Sequence, residues 1–244
     1  MGKYTVILSL AGIALGFVLG FLIANSINRT ALNGIRAELE AARSAARPDA
    51  SNEAGDTLSS EEIQAKIIEA DQNPDNVEYQ KNLGLALYRY GAFKNDTATI
   101  EQAIRLLDRA ARLSPRNSDI TIGLGNAWFD IGYIKKDNEA FNNAREMYSR
   151  VLAGNPNDAG VRTDLGMTYF LEEPPDDAKA TGEFKRALAA DPKNEKALEF
   201  VIQSLSRQGN GAEASKYLAT LREVNPNNQS LSALTAQIGQ NPPQ

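Results

Sequence analysis

Apolar residues follow two regimes along this chain. From Tyr4 to Asn28 no residue is charged, an unbroken stretch of 25 between Lys3 and Arg29. As a helix it would reach roughly 37 Å, enough to cross a hydrocarbon core of about 30 Å with some tilt. The pattern predicts a transmembrane helix over 4–28 behind an amino-terminal tail of residues 1–3. A cleaved signal peptide ending near Ala24-Asn25-Ser26 is the rival reading, although such peptides usually carry a shorter apolar run and a stronger positive head. Gly12, Gly16 and Gly20 recur every four residues and line one narrow stripe, on which a second helix can pack closely in lipid. The plainer reading is that glycine is common in membrane helices. Leu32, Ile35, Leu39 and Ala42 fall at helical spacing and predict a juxtamembrane helix over 29–47. Residues 48–57 read as a polar linker. Beyond Leu58 the apolar period is helical throughout, with no strand alternation.

That second regime repeats itself. Pro74, Pro115, Pro156, Pro192 and Pro226 recur at spacings of 41, 41, 36 and 34, each in a similar phrase: NPDN, SPRN, NPND, DPKN, NPNN. Proline ends the helix before it. Asn76, Asn117, Asp158, Asn194 or Asn228, two residues later, is suited to cap the helix after it. Leu83-Gly84, Leu124-Gly125 and Leu165-Gly166 mark the first helix of successive units, with Val201-Ile202 in the fourth. Ala103, Ala144, Ala180 and Ala214, then Ala110, Val151, Ala187 and Leu221, mark the second helix. Small residues here let two antiparallel helices approach, and Leu107, Tyr148, Phe184 and Leu218 fill the space between units.

These residues resemble the tetratricopeptide repeat (TPR) family, whose unit is a 34-residue helix-turn-helix. The resemblance implies an all-α, TPR-type α-solenoid with an N-terminal transmembrane helix. Its repeat domain, 58–240, would hold full units at about 75–116, 117–157, 158–193 and 194–227, a leading half unit over 58–73 and a capping helix over 229–238. The first two units carry seven extra residues, Lys94–Ile100 and Lys135–Phe141. Because seven residues are nearly two helical turns, they read as longer second helices capped near Asp96 and Asp137, with a loop as the alternative. The third unit should turn tightly around Glu173-Pro174-Pro175.

By the same resemblance, the first helices line a concave face whose positions are Lys81, Leu85, Tyr88, Ile122, Asn126, Phe129, Thr163, Met167, Phe170, Glu199, Gln203 and Ser206. Tyr88, Phe129 and Phe170 share one register. They would serve either as aromatic rungs for a bound peptide, each buried ring giving about 1.5–3 kcal/mol, or as packing within the array. The Lys/Asn/Arg clamp with which some TPR domains hold chaperone tails is missing. Leu85 and Gly123 stand where asparagine is needed, and Gly160 and Asp164 where lysine and arginine are. Trp128 reads as core.

Composition narrows the function. The chain has 244 residues with no Cys and no His, which leaves no thiol nucleophile, no Cys/His zinc site and no Ser-His-Asp triad. A net charge of −5 argues against a broad basic face for nucleic acid. No phosphate loop and no facing pair of carboxylates is present, so the chain reads as non-enzymatic and needing no cofactor or metal. The resemblance implies a membrane-anchored protein-interaction scaffold that binds a protein or peptide, with homo-oligomers through the glycine stripe. A subunit holding apo-cytochromes during their maturation, or a self-assembling structural factor, are the alternatives. A single-pass protein of a bacterial inner membrane is expected. Its short basic head favours a periplasmic repeat domain, whereas Arg29, Arg36, Arg43 and Arg47 favour the cytoplasm.

Overall fold

The computed structural model describes residues 59–240. The readings placed on 1–57, namely the anchor with Gly12, Gly16 and Gly20, the juxtamembrane helix and the linker, lie outside the described residues. The chain divides into two units, Met1–Ile63 and Gln64–Gln244, and the packing below concerns the second. Among the described residues no helix is long and apolar enough to cross a membrane.

The described residues form an all-α, TPR-like array of ten helices: α1 Ser60–Gln72, α2 Val77–Lys94, α3 Thr97–Leu113, α4 Ser118–Lys135, α5 Asn138–Gly154, α6 Ala159–Leu171, α7 Asp177–Ala190, α8 Glu195–Arg207, α9 Gly211–Val224 and α10 Leu231–Gln240. Their starts are written in side chains. The Asn76 carbonyl oxygen accepts from the Tyr79 N–H at 3.0 Å, and Asn117, Asp158 and Asn194 cap α4, α6 and α8 in the same way. Each satisfies an amide that the first helical turn leaves orphaned. Asp96, Asp137 and Asp176 do so for the second helices α3, α5 and α7. The fifth phrase behaves differently. Asn228 accepts from the Ser230 N–H at 2.8 Å and closes a turn, so α10 opens at Leu231, two residues later than the sequence suggests.

Helices pair as hairpins, α2 with α3, α4 with α5, α6 with α7 and α8 with α9. Consecutive hairpins stack so that the first helices α2, α4, α6 and α8 also touch in series. Within each of the first three hairpins a small residue meets a large one. A Cβ added at Gly84, Gly125 or Gly166 would lie 2.8 Å from Leu107, 2.8 Å from Tyr148 or 2.6 Å from Phe184. Leu107 and Phe184 are wholly buried and Tyr148 is nearly so. Glycine is required at these positions by the closeness of the approach, since interiors are packed to crystal-like density. Trp128 is half-buried at the margin of this core, not within it.

The seven-residue inserts lengthen both arms of the first two hairpins, not the second alone. Helices α2 and α4 have 18 residues against 13 in α6 and α8, and α3 and α5 have 17 against 14 in α7 and α9. The cause is apolar. Ile100 and Phe141 need a surface to bury against, and the first helix runs on to supply one at Gly91 and Gly132. A Cβ there would fall 2.8 Å from Ile100 and from the Phe141 ring. Asn95 and Lys136, at φ 53° and 55°, then end the longer helices in left-handed caps. The third unit turns tightly through a cis Glu173–Pro174 bond. Its Glu173 backbone exchanges two hydrogen bonds with the Asn138 side chain, at 2.8 and 3.1 Å.

The two ends of the array are finished differently. Gln80, fully buried, donates to the Ala70 and Asn73 carbonyls, while Arg105 and Arg109 pair with Asp71 at 2.5 and 3.1 Å. These contacts fix the end of α1 to the first hairpin. At the other end Leu234 is buried, with Leu231 and Ile238 packed against the core beside it, and the intervening Ser232, Ala233, Thr235 and Ala236 face outward.

Candidate functional site

The serial contact of α2, α4, α6 and α8 makes one continuous face, on which the resemblance placed its twelve positions. Their side chains separate into floor and surface. Tyr88, Phe129 and Phe170 are only 6%, 5% and 7% exposed. Phe129 meets Phe141 edge-on at 5.7 Å. Phe170 lies 5.1 Å from Phe200 and 6.4 Å from Phe184, with the Arg207 guanidinium 3.5 Å above its ring. These rings form the floor of the face; they do not project from it as rungs. Thr163, Met167 and Ser206 are buried too, the two hydroxyls donating to the Ala159 and Ile202 carbonyls. Asn126 accepts from the Tyr148 hydroxyl at 2.9 Å, which ties it to the array.

What meets solvent is mixed. Lys81 is half-buried and paired with Glu78 at 2.7 Å, and Leu85 and Ile122 are half-exposed apolar residues. Leu85 also marks a close approach of α2 to α4, where a Cβ built on Gly123 would run into its side chain. Glu199 accepts from the Asn228 amide at 2.7 Å, and burial holds its carboxyl above the usual carboxylate range against the pull of Asn228 and Ser230. Gln203 is half-buried, with its amide nitrogen enclosed and unpaired.

Reasoning from the repeat pattern missed the charged centre of this face. Asp130 on α4 touches the Tyr88 hydroxyl, and Asp164 on α6 pairs with Lys196 on α8 at 2.7 Å. Burial pushes the Asp130 carboxyl up to about 7. The Asp164 charge adds to the rise, while the Tyr88 hydroxyl and Lys196 oppose it. Burial also raises the Tyr88 and Tyr148 hydroxyls well above their ordinary value, and the same carboxylates contribute. The signal was positional: Asp130 directly follows Phe129, one step outside the registers taken from the family.

A depression of about 610 Å³ lies at the α6–α7 turn, lined by Asn138, Glu172, Pro174, Asp176 and Asp177 among others. Its carboxylates are already committed, Glu172 to Arg145, Asp176 to Lys179 and Asp177 to Arg207. Among the described residues no three acidic groups are placed to hold a metal ion. The first-helix face is therefore the candidate site.

Residues 178–238 match the profile of the family described as Tetratricopeptide repeat. Solved structures share the fold over most of their length. A crystal structure of MamA protein is 22% identical, covering 68% of this chain and 81% of that one with a TM-score of 0.54. MamA 41-end from Desulfovibrio magneticus RS-1 is 19% identical, with 70% and 87% covered and a TM-score of 0.56. TTC0263, a thermophilic TPR protein in Thermus thermophilus, is 18% identical, with 73% and 89% covered and a TM-score of 0.53. No curated protein sequence matches.

Proposed function

We propose, from the premise that the chain is a tetratricopeptide-repeat protein, that it is a membrane-anchored scaffold whose first-helix face binds a segment of another protein. The observation that carries this reading is the continuous face of four serially packed helices. Its floor is closed by buried rings and its surface mixes half-exposed apolar and polar groups. Such a surface suits recognition, because a ligand gains apolar burial at Leu85 and Ile122 without exposing the core. Lys81, Glu199 and Gln203 would supply polar contacts at its margins, and Tyr88, Asn126, Phe129, Thr163, Met167 and Phe170 would shape it from beneath.

The anchor rests on the uncharged run of 4–28, and pairing through Gly12, Gly16 and Gly20 would make the scaffold bivalent and raise its effective concentration at the membrane. The side of the membrane is proposed to be periplasmic. The test is proximity labelling from the full chain in its membrane. Leu85→Gln with Ile122→Gln should remove specific neighbours while circular dichroism stays unchanged. Unchanged labelling would sink the reading.

A further inference from the structure

The hairpins start their second helices in two ways. Asp96, Asp137 and Asp176 stand before α3, α5 and α7, and each carboxylate accepts from a backbone amide of the first turn. Asn210 holds the same place before α9, yet its side chain makes no cap bond. It is exposed, on a turn in which Gly209 takes φ 77°. Asn76, Asn117 and Asn194, which start first helices, all accept from the helix that follows. Of these four asparagines only Asn210 is left with its carboxamide unengaged by a helix.

The residue after Asn210 sets its chemistry. Gly211 opens α9, so its N–H is among those that a helix leaves without an internal acceptor. With no Cβ it places nothing between its own nitrogen and the neighbouring side chain. The residues that follow Asn76, Asn117 and Asn194 are Val77, Ser118 and Glu195, each with a side chain in that place. Gly211 is buried, but attack between adjacent residues needs room for no outside reagent larger than hydroxide or water.

Hydroxide takes the Gly211 amide proton, and the nitrogen bonds to the Asn210 side-chain carbonyl carbon. The side-chain nitrogen leaves as ammonia, taking a proton from water and restoring the hydroxide. Water then opens the cyclic imide: cleavage at the side-chain carbonyl gives aspartate, and cleavage at the main-chain carbonyl gives isoaspartate. Ring closure turns the Asn210–Gly211 peptide, so the Glu213 and Ala214 amides, at 3.2 and 3.0 Å, must first release the Asn210 carbonyl. That opens one turn, at a helix end with no side-chain cap to hold it.

We propose that Asn210 is a site of spontaneous deamidation, and that the aspartate it becomes supplies α9 with the acidic cap the other three second helices already have. A carboxylate there faces the positive end of the helix. The isoaspartate product instead adds a methylene to the backbone of the turn. The last hairpin therefore changes with the age of the molecule.

In the test the full chain is aged at pH 8 and at pH 5, digested with trypsin and read by mass. The peptide spanning 208–216 should gain one mass unit, faster at pH 8 than at pH 5, and electron-transfer fragmentation should find both aspartate and isoaspartate at 210. Asn117, whose cap bonds must break first, should react at least about fivefold more slowly. The other Asn-Gly pair, Asn33-Gly34, falls in a separate peptide spanning 30–36 and does not interfere. Asn210→Asp should raise the Tm of the full chain by about 1–4 °C at pH 7, a gain that disappears as pH falls below the carboxylate range. An Asn210 rate no greater than that of Asn117, or one indifferent to pH, overturns the site. A Tm unchanged or lowered by Asn210→Asp overturns the capping role.

Discussion

Replacing Gly166 with alanine sets two effects of known sign against each other. Within a helix the change favours folding by about 1 kcal/mol, because glycine has more backbone freedom to lose. At Gly166 the new Cβ would sit 2.6 Å from Cε1 and 2.8 Å from Cδ1 of Phe184. That ring is fully buried, stacked on Phe200 at 5.7 Å and set against Phe170 at 6.4 Å, so it has no free side to which it can move. Overpacking of this kind costs about 1–3 kcal/mol. The net expectation is a loss centred on about 1 kcal/mol and reaching about 2 kcal/mol. Gly182 is the internal reference: it lies mid-helix in α7, and nothing comes within 4 Å of its added Cβ. Gly182→Ala should therefore stabilise by up to about 1 kcal/mol. Urea unfolding of the full chain, followed by far-ultraviolet circular dichroism, should place the two midpoints on opposite sides of the unaltered chain. If Gly166→Ala proves as stable as the unaltered chain or more so, the close approach of α6 and α7 is not what fixes this glycine.

Asp130→Asn should act on stability in a pH-dependent way. The folded carboxyl is raised from an ordinary 3.8 to about 7, so the native state holds a proton that the unfolded state has released. Its stabilising contribution is complete below about pH 4 and is lost as pH rises through 7. At about 1.4 kcal/mol per unit the difference is at most about 4 kcal/mol. Asparagine, neutral throughout, should leave stability at pH 4 little changed and raise it at pH 8; equal effects at both values would refute the burial argument. Caps give a second comparison. Asp96→Ala removes an acceptor for the Ala98 and Thr99 amides at 3.0 and 3.2 Å and should cost about 1 kcal/mol. Asn210→Ala, at a position with no side-chain cap bond, should cost markedly less. Denaturant midpoints of the two variants decide it.

The hairpin count and the glycine-to-large-residue pairings were legible because they rest on local rules: proline stops, asparagine and aspartate starts, and small residues at fixed spacing. The division of the inserts was legible in principle. Gly91 and Gly132 stand seven residues after Gly84 and Gly125, two helical turns further along the same face, and they mark the first helix as running on. The role of the aromatic register was not legible. The same spacing serves a ring turned toward a ligand and one turned toward Phe141 or Phe200, and only the packing of neighbouring helices separates the two. The Tyr88–Asp130 and Asp164–Lys196 contacts join residues 42 and 32 apart in the chain, set by how hairpins stack and by no pattern within a hairpin.

The unequal hairpins have a further consequence for whatever lies across them. Helices α2 and α4 continue ten residues beyond Gly84 and Gly125, whereas α6 stops five beyond Gly166. At 1.5 Å per residue this leaves a ledge about 7 Å tall between the second and third hairpins, with Phe93 and Tyr133 exposed along its crest. A straight, stiff guest laid along that margin would bridge the drop and lose touch with half of its host; a pliant one can climb down the step.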